Sequence, residues 1–231
     1  PLGKTSGMTG EAYLRVYSAE RHADGSLNYP NVMAGSFNNA EYHVGPMATS
    51  ADENVLYVTR TYPGKDAEKF KAHGNKWKKQ NLELKIYKKS GNDWTEENFA
   101  YNNVKEYSLG HATLSGDGNT LYYASDMPGG QGGVDIWYSE LQGDGSWGTP
   151  QNAGPSINTA GDEMFPSVFG DNLYFSSNGQ IGMGGLDIFK SKGSKNSFGK
   201  AVNLGYPINS ASDDFAYVEE GDNAESTFGY L

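Results

Sequence analysis

Gly132-Gly133-Val134-Asp135-Ile136-Trp137 returns as Gly184-Gly185-Leu186-Asp187-Ile188-Phe189, 52 residues later. Downstream of each copy the match continues. Gln151-Asn152-Ala153-Gly154-Pro155-Ser156-Ile157-Asn158 is answered by Val202-Asn203-Leu204-Gly205-Tyr206-Pro207-Ile208-Asn209, and Asp162-Glu163 by Asp213-Asp214, both at an offset of 51. A fixed period of this length marks a repeat architecture. Upstream, Tyr42 to Tyr57 aligns with Tyr107 to Tyr122 at an offset of 65, matching Gly45 to Gly110, Ser50 to Ser115, Asp52 to Asp117 and Leu56 to Leu121. Lys85-Ile86-Tyr87 then aligns with Asp135-Ile136-Trp137 at an offset of 50, so this copy carries an insertion over 65–81. Arg15-Val16-Tyr17 takes the same place near the start of the chain.

Each unit reads as strands. Leu121-Tyr122-Tyr123-Ala124 and Leu173-Tyr174-Phe175-Ser176 follow the turn signals Gly116-Asp117-Gly118-Asn119 and Gly170-Asp171-Asn172. Val134 to Glu140 and Leu186 to Ser191 supply the next strand, and Trp147 or Phe198 opens a looser fourth segment. Four short strands per repeat of about 50 residues predict an all-β chain built as a β-propeller of four-stranded blades. The expected blades are 43–110, 111–162 and 163–213, with half blades 13–42 and 214–231 that together make a fourth, all within a single domain over 1–231. Two arrangements stay open: a closed four-bladed ring, or part of a ring of five or six. The ending on Tyr230-Leu231, without a turn or polar tail, favours the expectation of a piece cut from a longer chain.

Composition agrees with short strands and tight turns: 31 Gly and 16 Tyr in 231 residues argue against a helical bundle. The net charge of −10 opposes binding to a phosphate backbone, so nucleic acid is not an expected partner. No run approaches the ~18 apolar residues of a membrane span, and no leader pattern opens the chain. Without cysteine there is neither a disulfide framework nor a thiolate metal site.

The residues Ser115 to Ile136, Asn158 to Glu163 and Phe175 to Phe189, with Asn203 to Asn209 and Asp213-Asp214-Phe215, are similar to WD40-like (TolB-type, PD40) propeller repeats. They resemble in particular those of OmpA-family, peptidoglycan-associated envelope lipoproteins of Bacteroidetes. That resemblance implies a periplasmic, outer-membrane-associated location and a role in binding other envelope proteins. It extends to components of the type IX secretion and gliding machinery. Peptidoglycan contact would run through a domain outside this stretch. The insertion-bearing copy departs from the pattern by lacking the double-glycine loop.

Several residue groups are candidates for chemistry. The glycine-rich loops 126–133 and 178–185 are followed by strands, not by the helix N-terminus a phosphate cradle needs. Asp135 and Asp187 are therefore read as acceptors for loop amides. Asp162, Glu163, Asp213 and Asp214 recur at blade junctions. They are weak candidates for a metal ion or, as a carboxylate pair about 5–9.5 Å apart, for a glycan-binding or glycan-cleaving site. Recurrence favours a structural role for them, and a cation-stabilised module without a ligand is a third reading. The four histidines, 22, 43, 73 and 111, show no ligand spacing. No catalytic set, no cofactor site and no cofactor is nominated, and the chain is expected not to be an enzyme. The insertion sets six lysines against Asp66 and Glu68 in an otherwise acidic chain. It is expected as a mixed helical segment or mobile loop. Lys69, Lys71, Lys76, Trp77, Lys78 and Lys79 are the candidate partner contacts, and Trp147 is expected in the core.

Overall fold

The computed structural model describes residues 12–38, 41–64, 69–72, 74–223 and 226–230. The described residues form an all-β structure of antiparallel sheets. The first sheet pairs β1 (Tyr17–Ser18) with β2 (Asn31–Val32). Next come β3 (Val44–Thr49), β4 (Val55–Thr61), β5 (Lys69–Ala72), β6 (Asn75–Lys78), β7 (Leu82–Ser90) and β8 (Asp93–Asn98). Of these, β3-β4-β7-β8 form one four-stranded sheet, and β5-β6 form a separate hairpin. The third sheet runs β9 (Leu109–Leu114), β10 (Thr120–Ser125), β11 (Asp135–Glu140), β12 (Gln151–Asn152). The fourth contains β13 (Glu163–Phe169), β14 (Asn172–Ser177) and β15 (Asp187–Ser194), with β16 (Ser197–Phe198) and β17 (Val202–Asn203) both on β15. Last, β18 (Val218–Asn223) pairs with β19 (Ser226–Tyr230).

Two expectations need correction. The insertion is no helix: between its two strands Phe70 faces Trp77 and Lys71 faces Lys76 across a hairpin. Its residues 65–68 and 73 lie outside the described residues. The unit boundary expected at 110/111 falls inside β9, so that unit begins at Leu109, as the next begins at Glu163.

The middle strands explain the packing. Every residue of β10 is buried, because both faces of its sheet are covered. Alternation along the strand sends Tyr123 into a cluster with Tyr57, Leu84, Phe99 and Trp147. Its neighbour Tyr122 points the other way, to Ile136, Leu173, Phe175 and Phe189. A third cluster joins Phe37 and Tyr42 to Leu56, Val58 and Tyr87, and a fourth joins Tyr174 and Ile188 to Tyr217. Consecutive sheets thus stack face to face in chain order, with large side chains filling each interface. Trp147 is in the core, its ring edge-on to Tyr57.

The glycine-rich loops owe their composition to close approach. A Cβ on Gly132 would collide with the Thr159 carbonyl oxygen, and one on Gly184 with that of Ser212. These are backbone atoms that cannot step aside, so the loop admits only glycine there.

Candidate functional site

The cross-strand register defines equivalent positions and shows what the predicted acids do. Ser125 pairs with Asp135, Ser177 with Asp187, and Arg60 with Glu83. Asp187 Oδ2 accepts from the amides of Met183 (2.9 Å) and Gly184 (3.1 Å), and Asp135 Oδ2 accepts from Gln131 N. The insertion-bearing unit has no such loop, and there Glu83 binds Arg60 Nε at 2.7 Å instead. Arg60 also reaches Glu96 (3.0 Å) and the Tyr42 ring (4.8 Å). Burial works against its charge, yet the hydrogen bond and charge of Glu83 hold it more firmly protonated than usual. The register moves the sequence alignment by two residues: Glu83, not Lys85, takes the place of Asp135.

The junction acids are hydrogen-bond acceptors. Asp162 Oδ1 takes the Val134 amide and Asp213 Oδ1 the Leu186 amide, each at 2.9 Å. In the other two units the same bond is made by Ser108 Oγ to Leu82 N (3.1 Å) and by His43 Nδ1 to Leu14 N (3.2 Å). A position filled by Asp, Asp, Ser and His calls for a lone pair and not for an acid. Glu163 is buried and accepts from Thr159 N, Thr159 Oγ1 and Ser177 Oγ at 2.6–2.8 Å. Burial raises its pKa despite these bonds. Asp214 accepts from Ser210 N and Oγ. None of the four lines the large cavity, and among the described residues no cluster of three or more His, Cys, Asp or Glu is placed to hold a metal ion.

Of the partner candidates, Lys69, Lys71, Lys76 and Lys79 are exposed, as is Phe70. The side chains of Trp77 and Lys78 lie outside the described residues.

A feature that the sequence did not reveal lies between the sheets. A cavity of about 1210 Å³ is lined by the first strand of each unit: Pro46–Thr49 of β3, His111–Leu114 of β9, Phe165–Phe169 of β13, and Ala216 to Gly221 at the start of β18. β3, β9 and β13 each break register at the same level, at Gly45-Pro46, His111-Ala112 and Phe165-Pro166. His111, Phe165 and Ala216 have φ of 52°, 52° and 64°, the left-handed conformation that side chains rarely adopt. The bulges bring His111 flat onto Phe165 (centroids 4.0 Å, 10°), which stacks in turn on Phe215 (5.2 Å, 27°). Burial lowers the His111 pKa to about 4, so its ring is neutral at pH 7. Its Nδ1 is buried with no hydrogen-bond partner among the described residues.

No protein-family model and no curated protein matches the sequence. Among solved structures the chain is similar to a puromycin-hydrolyzing peptidase of Mycobacterium tuberculosis, with 17% identity and a TM-score of 0.46. The match covers 80% of this chain and 26% of that one, so the chain spans about a quarter of its length. The expectation that this chain is not an enzyme is corrected by that finding: the matched protein is a hydrolase by name, and a lack of activity is no longer asserted. An overlap this loose transfers no residue roles.

Proposed function

We propose that the stacked sheets are blades of a propeller of the WD40-like, TolB type, and that the chain binds other proteins in the bacterial envelope, at the outer membrane, within a secretion assembly. The arrangement of β3, β9, β13 and β18 around one cavity supports the propeller reading. So does the junction acceptor repeated in four units. Contacts between the chain's two ends agree with it: Tyr230 Oη donates to the Gly25 carbonyl at 3.0 Å, and Arg21 lies 3.6 Å from Glu220.

The observation that carries the binding role is the β5–β6 hairpin. It presents Lys69, Lys71 and Lys76 with an exposed Phe70 on a chain whose net charge is −10. Surface loops on a rigid scaffold are where recognition concentrates, and an exposed aromatic among cations suits an acidic protein surface. Cross-linked pull-downs from the native envelope, with the intact chain and with residues 65–80 deleted, test this reading. Loss of the captured partners on deletion is expected. Identical capture by both chains overturns it.

A further inference from the structure

We propose that the cavity between β3, β9, β13 and β18 binds a short cationic peptide bearing an aromatic ring, with the ring against His111 and Phe165 and the cation at the acidic end. The proposal rests on the cavity and is independent of the hairpin's role.

Asymmetry is the first argument. Elsewhere the units repeat their chemistry, as the junction acceptors do. At the level of the register breaks in β3, β9 and β13, the aligned residues that line the cavity are Pro46, His111, Phe165 and Ala216. Repetition of the units does not require one imidazole and one phenyl ring stacked together there. Left-handed conformations in His and Phe carry a cost of order 1 kcal/mol or more, and such strain concentrates at binding sites.

The chemistry of the lining is the second argument. His111 offers a neutral ring whose Nδ1 is closed off, which leaves Nε2 as the nitrogen that an occupant can reach. A neutral imidazole nitrogen meets a hydroxyl equally well as donor or acceptor. Phe165 and Phe215 extend the flat surface for an aromatic ring. At the turn ends of the strands the lining is acidic. Glu97 is paired with Lys88 and Glu220 with Arg21, while Asp52 and Glu219 enter none of the described ion pairs and Asp117 feels the charge of Lys195, which is itself paired with Glu140. Hydrogen bonds from Ser50 and Asn54 hold the Asp52 pKa down at about 2, and those from Ser115 and Asn119 lower that of Asp117.

Length is the third. From His111 to Ser115 is four strand residues, roughly 13 Å at ~3.3 Å each. Three extended peptide residues reach ~10 Å between their ends, and their side chains cover the remainder. The volume exceeds the ~300–1,000 Å³ usual for small ligands.

Calorimetric titration of the full chain with acetyl-Tyr-Gly-Lys-amide tests the proposal. Two analogues accompany it, one with Phe for Tyr and one with Glu for Lys. Binding of the first peptide is expected, weakened about five- to tenfold when the hydroxyl is removed and lost when the charge is reversed. In the His111→Phe variant the Tyr and Phe peptides should bind alike, and in Phe165→Ala both should weaken about tenfold. These replacements suit the site, since Phe165 and Ala216 take the same left-handed conformation as His111 in sister units. Absence of binding by the Tyr-Lys peptide, equal binding of all three peptides, or unchanged discrimination in His111→Phe overturns the proposal. If that variant fails to fold, the peptide series on the parent chain decides alone.

Discussion

Asn158 holds Ile136 by both of its backbone groups: Oδ1 accepts from the Ile136 amide at 2.8 Å, and Nδ2 donates to the Ile136 carbonyl at 2.9 Å. One side chain thereby stands in for a strand residue at the edge of β11. The same two-point grip joins Asn209 to Ile188, Asn102 to Leu84, and Asn38 to Val16.

Asn158→Ala leaves the buried Ile136 amide without its acceptor, while the Ile136 carbonyl keeps the Ala153 amide at 3.0 Å. One buried orphan costs about 1–3 kcal/mol, and a loss of that size is expected in urea unfolding. Asn209, equally buried, should behave alike. Asn38 is only half-buried, and water can take over its bonds. Asn38→Ala should cost no more than about 1 kcal/mol. Equal losses at all three positions would contradict the grip as the cause.

The junction acceptors give a second prediction. Because Ser108 makes the bond that Asp162 makes, Asp162→Ser should keep it and stay within about 1 kcal/mol of the parent. Asp162→Ala leaves the Val134 amide without its acceptor and should cost about 1–2 kcal/mol. A large loss on Asp162→Ser with the fold intact would mean that the charge itself is needed, as at a cation site.

These two cases show what was legible in the sequence. Over 111–213 the units use the same residue types at the same posts, so strands, turns and acceptor roles could be read directly. The remaining two units perform the same tasks with different residues. His43 and Ser108 replace aspartates, and Arg60 replaces a glycine loop as the partner of a buried carboxylate. Identity-based alignment therefore slipped by two residues at Glu83 and passed over Asn38 and Asn102. The cavity was hidden for another reason. Pro46, His111, Phe165 and Ala216 share no chemistry, and a left-handed φ near +52° in His or Phe has no sequence signal.

Arg60 supplies the third prediction. Arg60→Met takes the 2.7 Å partner from buried Glu83 and leaves it Lys85 Nζ at 3.7 Å, so the loss should approach the about 3–5 kcal/mol of a broken buried pair. Exchanging both, Arg60→Met with Glu83→Leu, removes the buried carboxylate, leaves Lys85 with Glu96 at 3.4 Å, and should recover most of that loss in urea unfolding. The network also gives a pH dependence. Burial would raise the Glu96 pKa, but the Tyr87 hydroxyl and the charges of Arg60 and Lys85 bring it below its ordinary 4.5. Its stabilisation is present above pH 4.5 and fades as pH falls through the lower folded value, a slope that Arg60→Met should flatten.

His111 titrates in a different window. Burial takes its pKa from 6.5 down to about 4, so the unfolded chain binds the proton more readily than the folded one. Stability is therefore complete above pH 6.5 and declines as pH falls from there towards 4. By pH 5 this one group should remove about 2 kcal/mol, at 1.36 kcal/mol per pH unit. Ordinary carboxylates, with pKa near 4, contribute little over the upper part of that range. Urea unfolding at pH 7 and pH 5 should show the loss in the parent chain and not in His111→Phe, which places in β9 the residue that β13 already carries at this bulge. An equal loss in both proteins would mean that the imidazole is not the group that binds the proton.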